Sequence, residues 1–261
     1  MRPMQLSALI RKAILSDERI EFALTYGSLA QGNGDAFSDV EFYLYTAEAV
    51  TLNLNSWVQQ VLQGSEFQIH LSVVNEFGTP NFVLNGLLRM ELHALPVSRM
   101  RELLDWPSPH VYPNQMVVKD SEDRLRTLLD ELAQKPGPQP KAEAQDILDR
   151  TLNWLTFGLN VLARGERVRA LELLGWVQGG LLRLARLEEA STAHWLNASR
   201  QAELELSDRA LQRYRQITGG LDQLTAAYAN AVHWAAELAK HLDLNLDARL
   251  LEELQERAAR P

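Results

Sequence analysis

The chain contains no cysteine, which excludes disulfide cross-links and thiolate metal sites and leaves stability to packing and hydrogen bonding. It also lacks an excess of positive charge: 34 Asp and Glu against 26 Lys and Arg give a formal net charge of -8. That sign suits a long nucleic-acid backbone poorly, whereas a single nucleotide needs only a metal ion and a few local cations. No apolar run approaches the roughly 20 residues of a membrane span. Arg11, Lys12 and Asp17-Glu18-Arg19 interrupt the N-terminal stretch where a signal peptide would need an unbroken apolar core. A soluble protein of the cytoplasm is the consistent expectation. What is present is ordinary globular usage, 46% hydrophobic and 23% charged over 261 residues, enough for one large domain or two ordinary ones.

The sequence changes character at Gln134-Lys135-Pro136-Gly137-Pro138-Gln139-Pro140. Prolines and a glycine in this density do not continue a helix, so the segment reads as a linker between domains 1–135 and 136–261. Before it, short β-like runs alternate with helical ones. Gln5 to Leu15 has helical spacing; Ile20 to Tyr26, Val40 to Tyr45, Phe67 to Val74 and Leu88 to Leu95 read as strands, with Gln115 to Lys119 as a short fifth. The alternation in the third is clean, with Phe67, Ile69, Leu71 and Val73 against Gln68, His70 and Ser72. A helix is expected over Ser121 to Ala133. After the linker, Ala142 to Ala163, Val168 to Leu187, Ser207 to Gln216 and Leu221 to His241 are helical, and a shorter helix is expected over Leu246 to Arg257. The expected class is α+β: a small mixed β-sheet domain followed by an all-α helical bundle. There is no internal repeat and no low-complexity tract.

The chemistry concentrates in Tyr26-Gly27-Ser28, a ten-residue spacer, and Asp39-Val40-Glu41. On a strand, Asp39 and Glu41 emerge on one face, roughly 7 Å apart along the chain, while Val40 and Phe42 point to a core. Two like charges on one face are unfavourable unless a cation lies between them, and hard carboxylate oxygens suit Mg²⁺, which completes its shell with water and phosphate. Gly27 at a strand end lets backbone approach a ligand; Ser28 is expected to cap the following helix and to face phosphate oxygens. A third carboxylate is needed to take a hydroxyl proton. Glu91 is the choice: in Leu88 to Leu95, Leu88, Met90, Leu92 and Ala94 form the apolar face, and Arg89, Glu91 and His93 share the other. Flanked by Met90 and Leu92, Glu91 is expected to be partly desolvated and basic.

This set resembles the nucleotidyltransferase superfamily that includes DNA polymerase β and the antibiotic nucleotidyltransferases, which is marked by Gly-Ser, a spacer, an acidic-apolar-acidic triplet and a later acid between apolar residues. Further runs are similar to the larger, two-domain lincosamide nucleotidyltransferases: Ser16-Asp17-Glu18-Arg19-Ile20, Ser38 to Tyr43, Asn75-Glu76-Phe77-Gly78-Thr79, Glu91-Leu92-His93, Arg164-Gly165-Glu166 and Leu171-Glu172-Leu173-Leu174. The resemblance implies that Asp39 and Glu41 bind Mg²⁺, that Glu91 is general base, and that an NTP (ATP or GTP) gives up its nucleoside monophosphate to a small-molecule hydroxyl. It further implies a helical half that closes over the nucleotide and forms part of the acceptor pocket, often across a homodimer. Arg169 is then the expected cation on the triphosphate, ahead of Arg164 and Arg167. Ala47 to Glu66 matches little in the family and is a candidate for acceptor contacts.

Each assignment has a plainer counterpart. Asp39 and Glu41 would also suit a solvated strand face, Glu91 a structural ion pair with Arg89, and the arginine cluster a solvated turn. His93 reads as structural or pocket-lining, and Trp154, Trp176, Trp195 and Trp234 read as core residues with one at an acceptor pocket. Beyond lincosamides, the acceptor alternatives are an aminoglycoside or another metabolite. A non-catalytic nucleotide- or partner-binding module and a nucleic-acid end-modifying polymerase are rival classes. The first has no need of Glu91, and the acidic balance opposes the second.

Overall fold

The structure is a computed structural model that describes residues 1–76 and 78–259. Phe77 of the run Asn75 to Thr79 and the last two residues of the expected second domain lie outside the described residues. The chain divides into two units, Met1–Gly137 and Pro138–Pro261, two residues beyond the expected boundary.

In the first unit, the period of apolar residues sets the element type, and long-range pairing sets the sheet. The order is α1 (Arg2–Ser16), β1 (Ile20–Thr25), α2 (Gly27–Ala30), β2 (Val40–Thr46), α3 (Leu54–Leu62), β3 (Ile69–Val74), β4 (Pro80–Leu84) and β5 (Leu88–Pro96). A 3₁₀ segment at Val97–Asp105, then α4 (Pro113–Met116), β6 (Val117–Asp120) and α5 (Arg124–Ala133) complete it. The strands lie in the order β3-β4-β5-β2-β1-β6. β2 and β5 are parallel, and the other neighbours are antiparallel. One face carries Val40, Phe42 and Leu44 with Met90 and Leu92, buried against Leu6, Ile10 and Ile14 of α1 and Trp57 and Val58 of α3. The opposite face carries Phe22, Leu24 and Tyr45, covered by Met100 and Leu103 of the 3₁₀ segment and Leu125 and Leu129 of α5.

The expected strands are present, and three details differ. β4 was not anticipated: Pro80 opens it where no ladder N–H is needed, and Asn85-Gly86-Leu87 turns it directly into β5. The unmatched stretch from Ala47 to Glu66 supplies α3, whose Trp57 indole N–H donates to Asp17 at 2.9 Å. Phe67, just before β3, is buried and Ile69 is half-buried, as the alternation suggests, but Leu71 and Val73 are 52% and 45% exposed because β3 is the sheet edge.

The second unit is helical throughout its described residues: α6 (Pro140–Ala163), α7 (Arg167–Glu188), α8 (Ala202–Glu205), α9 (Asp208–Gln216), α10 (Leu224–His241) and α11 (Ala248–Ala258), with 3₁₀ turns at Trp195–Asn197 and Leu221–Gln223. Pro140, read from sequence as linker, opens α6, because a proline in the first turn loses no helical hydrogen bond. The helices approach closely at two glycines. A Cβ on Gly158 would lie 2.1 Å from the Tyr228 hydroxyl, and one on Gly180 would lie 2.1 Å from Thr151 Oγ1. Trp195 and Trp234 are core residues as expected. Trp176 is not: it is 64% exposed and stacks on Trp154. No helix among the described residues is long and apolar enough to cross a membrane.

Candidate active site

The candidate residues of the first unit meet where β1 hands over to α2 and where β2 begins. The Thr25 hydroxyl (2.9 Å) and the Tyr26 N–H (3.3 Å) both donate to the Glu41 carbonyl, clamping the end of β1 to the start of β2. Gly27 follows at φ +73, a conformation that suits glycine. A Cβ there would sit 1.5 Å from Glu41 Oε2: the missing side chain of Gly27 is the space that the Glu41 carboxylate occupies. Ser28 lies inside α2 rather than at its cap, which is Tyr26, and α2 has no side-chain cap. The expected capping role of Ser28 is therefore replaced by a hydroxyl with no hydrogen-bond partner among the described residues.

The loop back to β2 is fixed by Asp35 and Ser38. The Asp35 N–H donates to Ser38 Oγ at 2.8 Å, and Asp35 Oδ1 accepts from the Phe37 N–H at 2.9 Å and from Ser38 Oγ at 3.0 Å. That turn delivers Asp39 to the start of β2. Because β2 and β5 pair in parallel with Glu41 opposite Glu91 and Tyr43 opposite His93, the face anticipated for Arg89, Glu91 and His93 is also the face of Asp39 and Glu41. Asp39, Glu41 and Glu91 thus come from adjacent strands onto one face.

Arg89 lies among these acids. It donates to Asp39 and, at 2.7 Å, to Glu91 Oε2; the plain ion-pair reading of Glu91 is part of this structure. Tyr26 donates to Glu91 Oε1 at 2.8 Å, with its hydroxyl 3.1 Å from His93 Nε2, and Nε2 is 3.3 Å from the same Glu91 oxygen. Burial pushes the Glu91 carboxyl up. Hydrogen bonds from Tyr26 and His93 and the charge of Arg89 outweigh burial and hold it below the ordinary carboxylate value. Glu91 is partly buried as expected, but the expectation of a basic carboxylate is corrected by this ring of donors. Burial lowers the His93 imidazole, opposed in part by Glu91, so the ring is neutral near pH 7. Burial, then the bond to Glu91, raises the Tyr26 phenol, which stays a donor.

Tyr26 as a partner of Glu91 is not visible in the sequence, because the two are brought together by strand pairing across 65 positions. Asn81 was missed for the same reason. It pairs in register with Glu91 from β4, is 4% exposed, and its Oδ1 is buried without a partner. Arg169 belongs to the second unit, near the start of α7. It is exposed, 3.6 Å from Glu166 and over the Phe157 ring at 5.2 Å, and is not among the residues that the first unit gathers.

Carboxylate oxygens of Asp39, Glu41 and Glu91 are the donor chemistry of Mg²⁺, and the cradle at Gly27 admits one of them where a Cβ would exclude it. No group of three acids or histidines is within metal-holding distance of one another among the described residues; Arg89 already sets a positive charge against two of the acids. The donor set fits a divalent cation in type and in the sign of charge that it attracts.

Residues 141–260 match the family model of the lincosamide nucleotidyltransferase-like C-terminal domain. A comparison with curated protein sequences finds no match. Solved structures similar to this chain include an aminoglycoside 6-adenyltransferase from Bacillus subtilis, 12% identical over 99% of this chain and 97% of that one with a TM-score of 0.41. A nucleotidyltransferase-like protein from Exiguobacterium sibiricum is 16% identical over 97% and 87% of the two chains, also with a TM-score of 0.41. The helical unit is thus similar to the lincosamide nucleotidyltransferase-like C-terminal domain, over a little under half of the chain.

Proposed function

We propose that this protein transfers a nucleoside monophosphate from an NTP to a hydroxyl of a lincosamide, with Asp39, Glu41 and Glu91 as the acidic face of the reaction. The observation that carries the proposal is the parallel register of Glu41 with Glu91, with Gly27 left bare beneath the Glu41 carboxylate. Asp39 and Glu41 are the residues to hold Mg²⁺. The bound ion supplies neutralisation of the triphosphate and an orienting charge for its oxygens. Gly27 backbone and the Ser28 hydroxyl contact the phosphates. Glu91, ionised at neutral pH, takes the proton of the acceptor hydroxyl as that oxygen attacks the α-phosphorus in line. The bond to the bridging oxygen breaks, and pyrophosphate leaves with the electron pair. Tyr26 and His93 hold the Glu91 carboxylate in place, so the gain is mainly positioning and electrostatics. Because Arg89 pulls Glu91 down, movement of Arg89 towards the phosphates would raise the basicity of Glu91 when substrate is bound.

The test is pyrophosphate release from MgATP and MgGTP with lincomycin, clindamycin and a set of aminoglycosides. Release with a lincosamide supports the proposal. Release with aminoglycosides alone moves the acceptor to that class, and MgNTP binding without release with any acceptor favours a nucleotide-binding module.

A further inference from the structure

On the face of β2 that carries Glu41, the next residues in phase are Tyr43 and Tyr45, and on β5 the residue after Glu91 in phase is His93. Together with Trp106, these rings line a cavity of about 380 Å³, with Arg99 and Glu102 also in its wall. The geometry points to this cavity as the seat of an uncharged, polyhydroxylated ring, the part of the acceptor that places its reacting hydroxyl at Glu91. This rests on the nucleotidyl-transfer reading of the acidic face.

Three observations carry it. First, Tyr45 is 1% exposed, yet its hydroxyl has no hydrogen-bond partner among the described residues, and it lines the cavity. The half-buried Tyr43 has an unpartnered hydroxyl there too. Neither phenol oxygen is sealed from open space, so a ligand that both donates and accepts is the natural partner for two hydroxyls at the cavity wall. Second, the rings are pre-set. Tyr43 and His93 stack at 3.8 Å with 6° between planes, and Trp106 meets Tyr43 edge-on at 4.9 Å. Such surfaces suit the C–H faces of a saturated ring and lose little entropy on binding. Third, the charges are already matched. Arg99 and Glu102 hold each other through two contacts of 2.7 Å, and Glu91 is paired with Arg89. Among the described residues no unpaired charge is left in the wall to draw a charged group, while the His93 ring adds one more polar group to it. The cavity meets the reaction site at His93, whose Nε2 lies 3.3 Å from Glu91, so a ring seated here brings a hydroxyl towards the proposed base.

Glycoside binding is read without nucleotide or metal, which separates failure of this inference from failure of the transfer reading; MgATP affinity enters only as a control on the fold of the variant. Saturation-transfer NMR on the full chain is recorded with methyl glucoside, methyl galactoside and methyl mannoside, and with N-methylpyrrolidinium as a charged ring of similar size. At least one glycoside is expected to bind the wild type in preference to the cation. Tyr45→Phe, which removes a single hydroxyl, is expected to weaken it about 3- to 10-fold, and Trp106→Ala about tenfold or more. MgATP affinity is expected to be unchanged in Tyr45→Phe, as a merely structural defect would not allow. Absence of binding by all three glycosides, preference for N-methylpyrrolidinium, or equal glycoside binding by wild type and Tyr45→Phe would each overturn the inference.

Discussion

At the scale of single residues, the site depends on what Gly27 omits. Its φ of +73 and the position of Glu41 Oε2 both exclude a side chain. Gly27→Ala must therefore displace the Glu41 carboxylate and accept a left-handed backbone, at a cost of about 1–2 kcal/mol in stability. Urea unfolding should show that loss, and Mn²⁺ titration followed by EPR should show weakened metal binding even where the fold is kept. Tyr26 sets a second expectation. Its hydroxyl is one of the groups that hold Glu91 below the ordinary carboxylate value, so Tyr26→Phe removes a downward pull and Glu91 should protonate at higher pH. For a base that works ionised, activity is lost as pH falls through its pKa. The acid limb of kcat/KM should thus move to higher pH in Tyr26→Phe, and an unmoved limb would remove Tyr26 from this role. Gly27, Asp39, Glu41 and Glu91 were legible in sequence because strand alternation and a fixed spacing place them. Tyr26, Arg89 and Asn81 acquired their meaning only through pairing of β4, β5 and β2.

Among elements, the strands that alternate on a buried face were readable, and those shaped by neighbours were not. β2 and β5 announce their inner face through Val40, Phe42, Met90 and Leu92. β4 is only five residues long and opens on Pro80, and β3 carries an apolar alternation that the sheet edge leaves half uncovered. In the helical unit, the segment between α7 and α9 has weak periodicity and is held instead by one buried cation. Arg186, with no exposed side-chain surface, donates to the carbonyls of Ala198, Ser191 and Arg200 and to Glu205 at 2.6 Å; His194 meets the same carboxylate at 2.8 Å. A leucine-rich pattern gave no hint of this, since an arginine in α7 reads as a solvated position. Arg186→Met leaves three carbonyls and a carboxylate short of their donor, and should destabilise the protein by about 3 kcal/mol. Chemical denaturation of the full chain measures it; a loss under about 1 kcal/mol would mean that water replaces the guanidinium.

For the whole molecule, the division into an α+β unit with the acidic face and a helical unit matching a lincosamide nucleotidyltransferase-like domain follows from a proline-rich joint and a change of period, both local signals. The cavity proposed for the acceptor is not local: side chains from β2, β5 and the 3₁₀ segment enclose it. On the proposed function, the paired acids of this face carry nucleotidyl transfer. The most direct measurement is mass-spectrometric detection of nucleotidylated lincomycin after incubation with MgATP or MgGTP, for the wild type and for Asp39→Asn with its fold verified by circular dichroism. Product is expected with the wild type, and with Asp39→Asn a rate at least about 100-fold slower, about 2.7 kcal/mol in the barrier. A folded Asp39→Asn protein that forms product at the wild-type rate would contradict it.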